Sequence, residues 1–184
     1  MTAPAFPLAT TSWDDKEYAA IQRVVDSGMF SMGPEVAQFE TMFAQTMNSK
    51  FAVMVNSGSS ANLLYVAALR YHSTHGLKPG DEVIVPNYTM IATPNAVRAV
   101  GATPVLVDVD ARTLTMDIVK AREAVTPRTK AIILVLANGR EPIDGVGAFI
   151  DLCHELDVIL LEDAAQALGS FYRDGRAMGT VGTA

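Results

Sequence analysis

The sequence predicts an α/β fold with a mostly parallel sheet covered by helices on both faces, a three-layer αβα arrangement. Three observations carry that expectation. Short apolar runs recur from residue 51 onward without polar alternation, as strands buried on both faces do. Segments with helical spacing fall between them, which implies right-handed crossovers. The 184 residues, 49% hydrophobic and 18% charged, suffice for a packed core.

Residues 1–50 read as a helical segment and 51–184 as the sheet-containing domain. Ser12 or Asp14 caps a first helix running to about Asp26, which Ser27-Gly28 closes. Pro34 sits in the first turn of a second helix, with Val36, Phe39, Phe43 and Met47 on one face. FAVMV (51–55) is expected as a strand and ANLLYVAALR (61–70) as a helix. DEVIVP (81–86) follows as a strand. Thr93-Pro94 is expected to open the next helix with a cap and a first-turn proline. TPVLVDVD, DIVKAREAV and KAIILVL continue as strand, helix and strand. A helix from about Asp144 to His154 leads into the strand VILLED, and FYRDGRAMG forms a turn.

Composition narrows the function. A formal net charge of -6 argues against a nucleic-acid binder, which needs a basic footprint. Cys153 is the sole cysteine, so no intrachain disulfide is possible and a reducing compartment is expected. No Lys or Arg precedes Lys16, and no apolar run is long enough to cross a bilayer. These features predict a soluble, cytoplasmic protein without membrane contact. No metal site is expected: His72 and His75 lack a third ligand, and His154-Glu155 lacks the second histidine of a zinc-protease helix. GVGAFI is only part of a dinucleotide fingerprint, and NSGSSAN lacks the Gly-Lys-Ser/Thr ending of a nucleotide P-loop.

In open parallel sheets, ligands collect at the carboxyl ends of the strands. Gly58, Ser59 and Ser60 lie where a helix begins, so their N–H groups and hydroxyls suit a phosphate; plain capping by Ser57 or Ser59 is the competing role. Tyr88 stands beyond a strand end, placed to cover a flat ligand or simply to pack. Asp163 ends an apolar strand, where its charge needs a cationic or strongly hydrogen-bonding partner. Ala165, two residues on, shares its face if the extended backbone persists, and leaves room for a planar cation. Gln166 can donate to or accept from a neighbouring oxygen. A phosphate cradle, a flat cover, a small-residue floor and a buried carboxylate together suit pyridoxal phosphate, whose ring needs a protonated nitrogen to draw electrons.

The segments GMFSMGPEVAQFE, AVMVNSGSSANLL, GDEVIVPNYTMIATPNAV, GATPVLVDVD, TPRTKAIILV and EDAAQALGS resemble the DegT/DnrJ/EryC1/StrS family of sugar aminotransferases. The resemblance implies the large domain of the fold type I pyridoxal-phosphate enzymes. It implies that Asp163 pairs with the pyridine nitrogen, Gln166 contacts the ring oxygen, and Gly58 and Ser59 hold the phosphate. Either Tyr88 or Met90 covers the ring. It also implies a homodimer, with GMFSMG at the interface. The family's Schiff-base lysine lies shortly after the segment matching GTVGTA, so this chain is expected to be incomplete and inactive alone, lacking also the smaller carboxyl-terminal domain. Lys120 and Lys130 fall too far from the site to replace that lysine. Asn138 and Arg140 are candidates for sugar contacts or for plain loop roles.

The expected activity is amination of a nucleotide-linked keto-sugar, with an amino acid, glutamate by resemblance, as donor. A sugar 3-dehydratase of the same family is the alternative. SMGPEVAQFE and VMVNSGSSANLL lean towards the dehydratase, whereas EDAAQ leans towards transamination, which the sequence favours. A non-catalytic cofactor-binding module is the remaining alternative, separable by whether coding continues past Ala184.

Overall fold

A computed structural model of the chain describes residues 11–74 and 76–182. Residues 1–10 (MTAPAFPLAT), His75 and the last two residues of GTVGTA lie outside the described residues. The chain divides into two compact units, one of Met1–Thr46 and Lys50–Met54, the other of Met47–Ser49 and Val55–Ala184.

In the first unit, α1 spans Asp15–Ser27. Asp14 caps it by accepting from the Lys16 amide at 2.7 Å, while its own amide donates to Glu17 Oε2 at 2.7 Å. Gly28 closes it in the left-handed region at φ 67°. The second helix, α2, spans Pro34–Thr46 and begins at the proline, as expected. Val36 and Phe43 are half-buried, but Phe39 stays 48% exposed, its ring 5.6 Å from that of Phe43. Met47 lies just past the helix end.

FAVMV is not a strand. Residues 51–55 pair with no strand among the described residues, Phe51 and Val53 are exposed, and the Met54 amide donates to Glu40 Oε1 at 2.7 Å. An apolar run favours an extended chain; a strand also needs a neighbour to complete its ladder.

The second unit contains a four-stranded, all-parallel sheet ordered β2-β1-β3-β4. Its strands are β1 (Glu82–Pro86), β2 (Thr103–Val107), β3 (Thr129–Val135) and β4 (Ile159–Asp163). The crossover helices are α4 (Ala92–Ala99), α5 (Ile118–Glu123) and α6 (Val146–Leu156), preceded by α3 (Gly58–Leu69). Alternating side chains of β1, β3 and β4 supply two cores, and β2 adds Val105 and Val107 to one of them. Val83, Ile133, Ile159 and Leu161 pack with Val66 of α3 and Val97 of α4. Ile84, Ile132, Leu134 and Leu160 pack on the other face with Phe149 and Leu152 of α6. The three-layer αβα arrangement is therefore present.

One helix start differs from expectation. Thr93 lies inside α4, whose N-cap is Ile91 without a side-chain bond. Its hydroxyl is instead drawn inward, fully buried, onto other polar side chains. A buried hydroxyl with better partners elsewhere has no need to cap.

Candidate functional site

The chain leaves β1 for β2 on one side and returns to β3 on the other, so the order reverses between β1 and β3. Ligands of open α/β sheets bind at such a reversal, outside the carboxyl ends of the strands. A cleft of about 380 Å³ opens there. The loop after β1 contributes Asn87 to Met90, the turn after β3 contributes Leu136 to Asn138, and the end of β4 contributes Asp163, Ala165 and Gln166. Tyr88 and Met90 both line it, 51% and 71% exposed.

Asp163 closes β4, and its backbone carbonyl accepts from the Leu136 amide at 3.0 Å. Its position in the strand aims its side chain to the α3/α4 face, where Asn62 donates through Nδ2 to Oδ2 at 2.8 Å. The other oxygen, Oδ1, accepts from the Ala165 amide at 3.2 Å. That bond belongs to a turn: the extended backbone stops at Asp163, since the carboxylate captures the amide two residues on. Ala165 reaches the cleft through this turn rather than through strand alternation. Nearby, the buried Tyr65 hydroxyl bonds to nothing among the described residues. Burial first, and the Asp163 charge second, push it well above its ordinary value.

The start of α3 borders the same floor, since a Cβ on Gly58 would lie 3.7 Å from that of Ala165. Ser57 is the cap, accepting from the Ser60 amide at 3.2 Å, and its carbonyl accepts from Ala61 at 3.0 Å. The amides of Gly58 and Ser59 precede the first helical bonds and stay free for a ligand. Capping by Ser57 therefore leaves the first two helix amides uncommitted. Ser60 is the less available hydroxyl, because it donates to Asn56 Oδ1 at 2.6 Å. The Ser59 side chain bonds to nothing among the described residues.

Gln166 turns its Oε1 to the Asn138 amide at 2.9 Å, leaving its Nε2 donors free. The turn after β3 is tight. Asn138 and Gly139 take φ 55° and 66°, and a Cβ on Gly139 would meet Ser170 Oγ at 2.6 Å. Glycine takes that positive φ without strain, and a side chain there would have to displace the Ser170 hydroxyl. Arg140 is not brought to the cleft; it donates to the Arg112 carbonyl at 3.0 Å.

Glu162 points to the opposite side of the sheet from Asp163. Its Oε1 accepts from the Tyr172 hydroxyl and the Gly179 amide (3.0 Å), and Oε2 accepts from the amides of Val181 and Gly182 (2.6 Å each). It is a structural hub for residues 172–182. Asn62 and Thr93 are the site residues that sequence reasoning missed. Asn62 carried a signal: it falls with Val66 and Leu69 on the buried stripe of α3, where an amide is out of place unless bonded.

Residues 11–184 match the model of the DegT/DnrJ/EryC1/StrS aminotransferase family. A GDP-4-keto-6-deoxy-D-mannose 3-dehydratase of Escherichia coli O55:H7 is 45% identical over 96% of this chain and 45% of its own length. A GDP-perosamine synthase of Caulobacter vibrioides is 37% identical over 97% of the chain and 46% of its own length. A crystal structure of GDP-4-keto-6-deoxymannose-3-dehydratase with a trapped PLP-glutamate geminal diamine superposes with a TM-score of 0.87 at 45% identity, covering 96% of this chain and 45% of that one. The chain spans just under half the length of these relatives.

Proposed function

Because the chain belongs to the DegT/DnrJ/EryC1/StrS aminotransferase family, whose members depend on pyridoxal phosphate, we propose that it is the cofactor-binding part of a nucleotide-sugar 3-dehydratase. The proposed substrate is a GDP-linked 4-keto-6-deoxy sugar. The observation that carries this reading is the 45% identity to a GDP-4-keto-6-deoxy-D-mannose 3-dehydratase, against 37% to an enzyme named as a GDP-perosamine synthase. SMGPEVAQFE and VMVNSGSSANLL lean the same way.

The residues present fit the cofactor. Two free amides and the Ser59 hydroxyl sit at the positive end of α3, as a phosphate requires. The half-buried Asp163 carboxylate lies near the Tyr65 hydroxyl, which bonds to nothing among the described residues, and a cationic ring nitrogen there would compensate the charge. When bound, the cofactor supplies an electron-poor ring that accepts the electron pair released beside it. Asp163 would hold a proton on the ring nitrogen, keeping the ring electron-poor. Gln166 would donate through Nε2 to the ring oxygen, because its Oε1 is already committed to Asn138. Gly58 and Ser59 would bind the phosphate, and Tyr88 or Met90 would cover the ring and exclude water.

Transamination, favoured by the sequence through EDAAQ, takes second place. In this geometry Asp163 and Gln166 line the cleft, and Glu162 organises the far side of the sheet. The motif therefore reports a cofactor used by both reactions and says little about which one follows. The test supplies the full-length protein with pyridoxal phosphate, glutamate and GDP-4-keto-6-deoxymannose. Loss of the 3-hydroxyl is expected. A sugar that gains an amino group would install the transamination reading instead.

A further inference from the structure

We infer that Asn62 is a positioning residue for Asp163, a link in a polar relay running Thr89–Thr93–Asn62–Asp163 whose two middle members are buried. This rests on the cofactor reading above. Asn62 is 5% exposed on the stripe of α3 that packs on the sheet, where an apolar side chain would pack without desolvating an amide. Its Nδ2 instead reaches Asp163 Oδ2 at 2.8 Å and Thr93 Oγ1 at 3.4 Å. Thr93, with no exposed surface, meets Thr89 Oγ1 at 2.9 Å. Thr89 stands between Tyr88 and Met90 in the loop that lines the cleft.

Two donors thus set the plane of the carboxylate, Asn62 from α3 and the Ala165 amide from the following turn. The next helix turn carries Tyr65, whose buried hydroxyl bonds to nothing among the described residues, so α3 reaches the carboxylate through Asn62. Asn62 lies four residues, ~6 Å along the axis, beyond Gly58. The same helix therefore registers the phosphate position against the carboxylate, and the threonines extend that register to the covering loop.

The experiment titrates the full-length protein with pyridoxal phosphate, comparing wild type, Asp163→Asn, Asn62→Leu and Thr93→Val. Asn62→Leu should weaken cofactor affinity by about tenfold or more, the scale of one lost bond to a charged group. It should also move the pH dependence of the bound cofactor's absorbance, while the urea midpoint holds or rises. Thr93→Val should weaken affinity several-fold, and a variant combining Asn62→Leu with Thr93→Val should lose less than the product of the two single losses. A purely structural Asn62 would leave affinity and pH profile at wild-type values. That result, with Asp163→Asn impaired, overturns the relay alone. Wild-type affinity in Asp163→Asn as well would overturn the cofactor reading. Should Asn62→Leu fail to fold, Thr93→Val decides: unchanged affinity there sinks the relay.

Discussion

Replacing Glu162 by glutamine swaps one carboxylate oxygen for an NH2 group and otherwise keeps the shape. Each oxygen has two donors: Tyr172 and Gly179 on Oε1, Val181 and Gly182 on Oε2. Whichever way the amide lies, its nitrogen faces two donors, so two bonds are lost and two N–H or O–H groups are opposed. Bonds to a charged acceptor contribute about 1.5–3 kcal/mol each. Glu162 is only half-buried, so water will replace part of what is lost. The expected destabilisation is about 2–4 kcal/mol, a large part of a typical domain's stability. Urea unfolding of the full-length protein should show a lower midpoint at unchanged slope. Tyr172→Phe, which removes only the phenol donor, should cost about 1 kcal/mol. A Glu162→Gln loss below about 0.5 kcal/mol, the range of ordinary surface changes, would refute the hub.

Ser59→Ala should weaken cofactor retention several-fold with little effect on turnover at saturating cofactor, because it removes one phosphate contact of several; unchanged affinity would take Ser59 out of the site. Asp163→Asn should reduce turnover greatly while preserving the unfolding free energy to within about 1 kcal/mol, since the fold keeps most contacts at that position. Burial pushes the Cys153 thiol from its ordinary 9.0 up to about 12. Native protein should therefore resist thiol reagents at pH 8 and react fully once unfolded. The unfolded thiol ionises first, so its stabilising contribution is complete below pH 9 and is lost as pH rises towards 12. Rapid labelling of the native protein would contradict that burial.

Much of this architecture was legible because its signals are local. The apolar runs became β1 to β4, and Asp14, Gly28 and Pro34 ended or began helices where expected. Where partners are distant in the chain, the sequence was silent. Residues 51–55 have the pattern of a strand, but pattern does not name a ladder neighbour. Thr93 resembled a cap until the structure brought it to Asn62 and Thr89. Glu162 and Asp163 are adjacent in sequence and opposite in role. Strand parity foretells that they diverge, but nothing local foretells amides from residues 179–182 converging on one carboxylate.

The most direct test of the central claim is a crystal structure of the full-length protein soaked with pyridoxal phosphate. The ring nitrogen should lie within hydrogen-bond distance of Asp163, with the phosphate on the amides of Gly58 and Ser59. A ring bound elsewhere, or a nitrogen turned to solvent, would contradict the account.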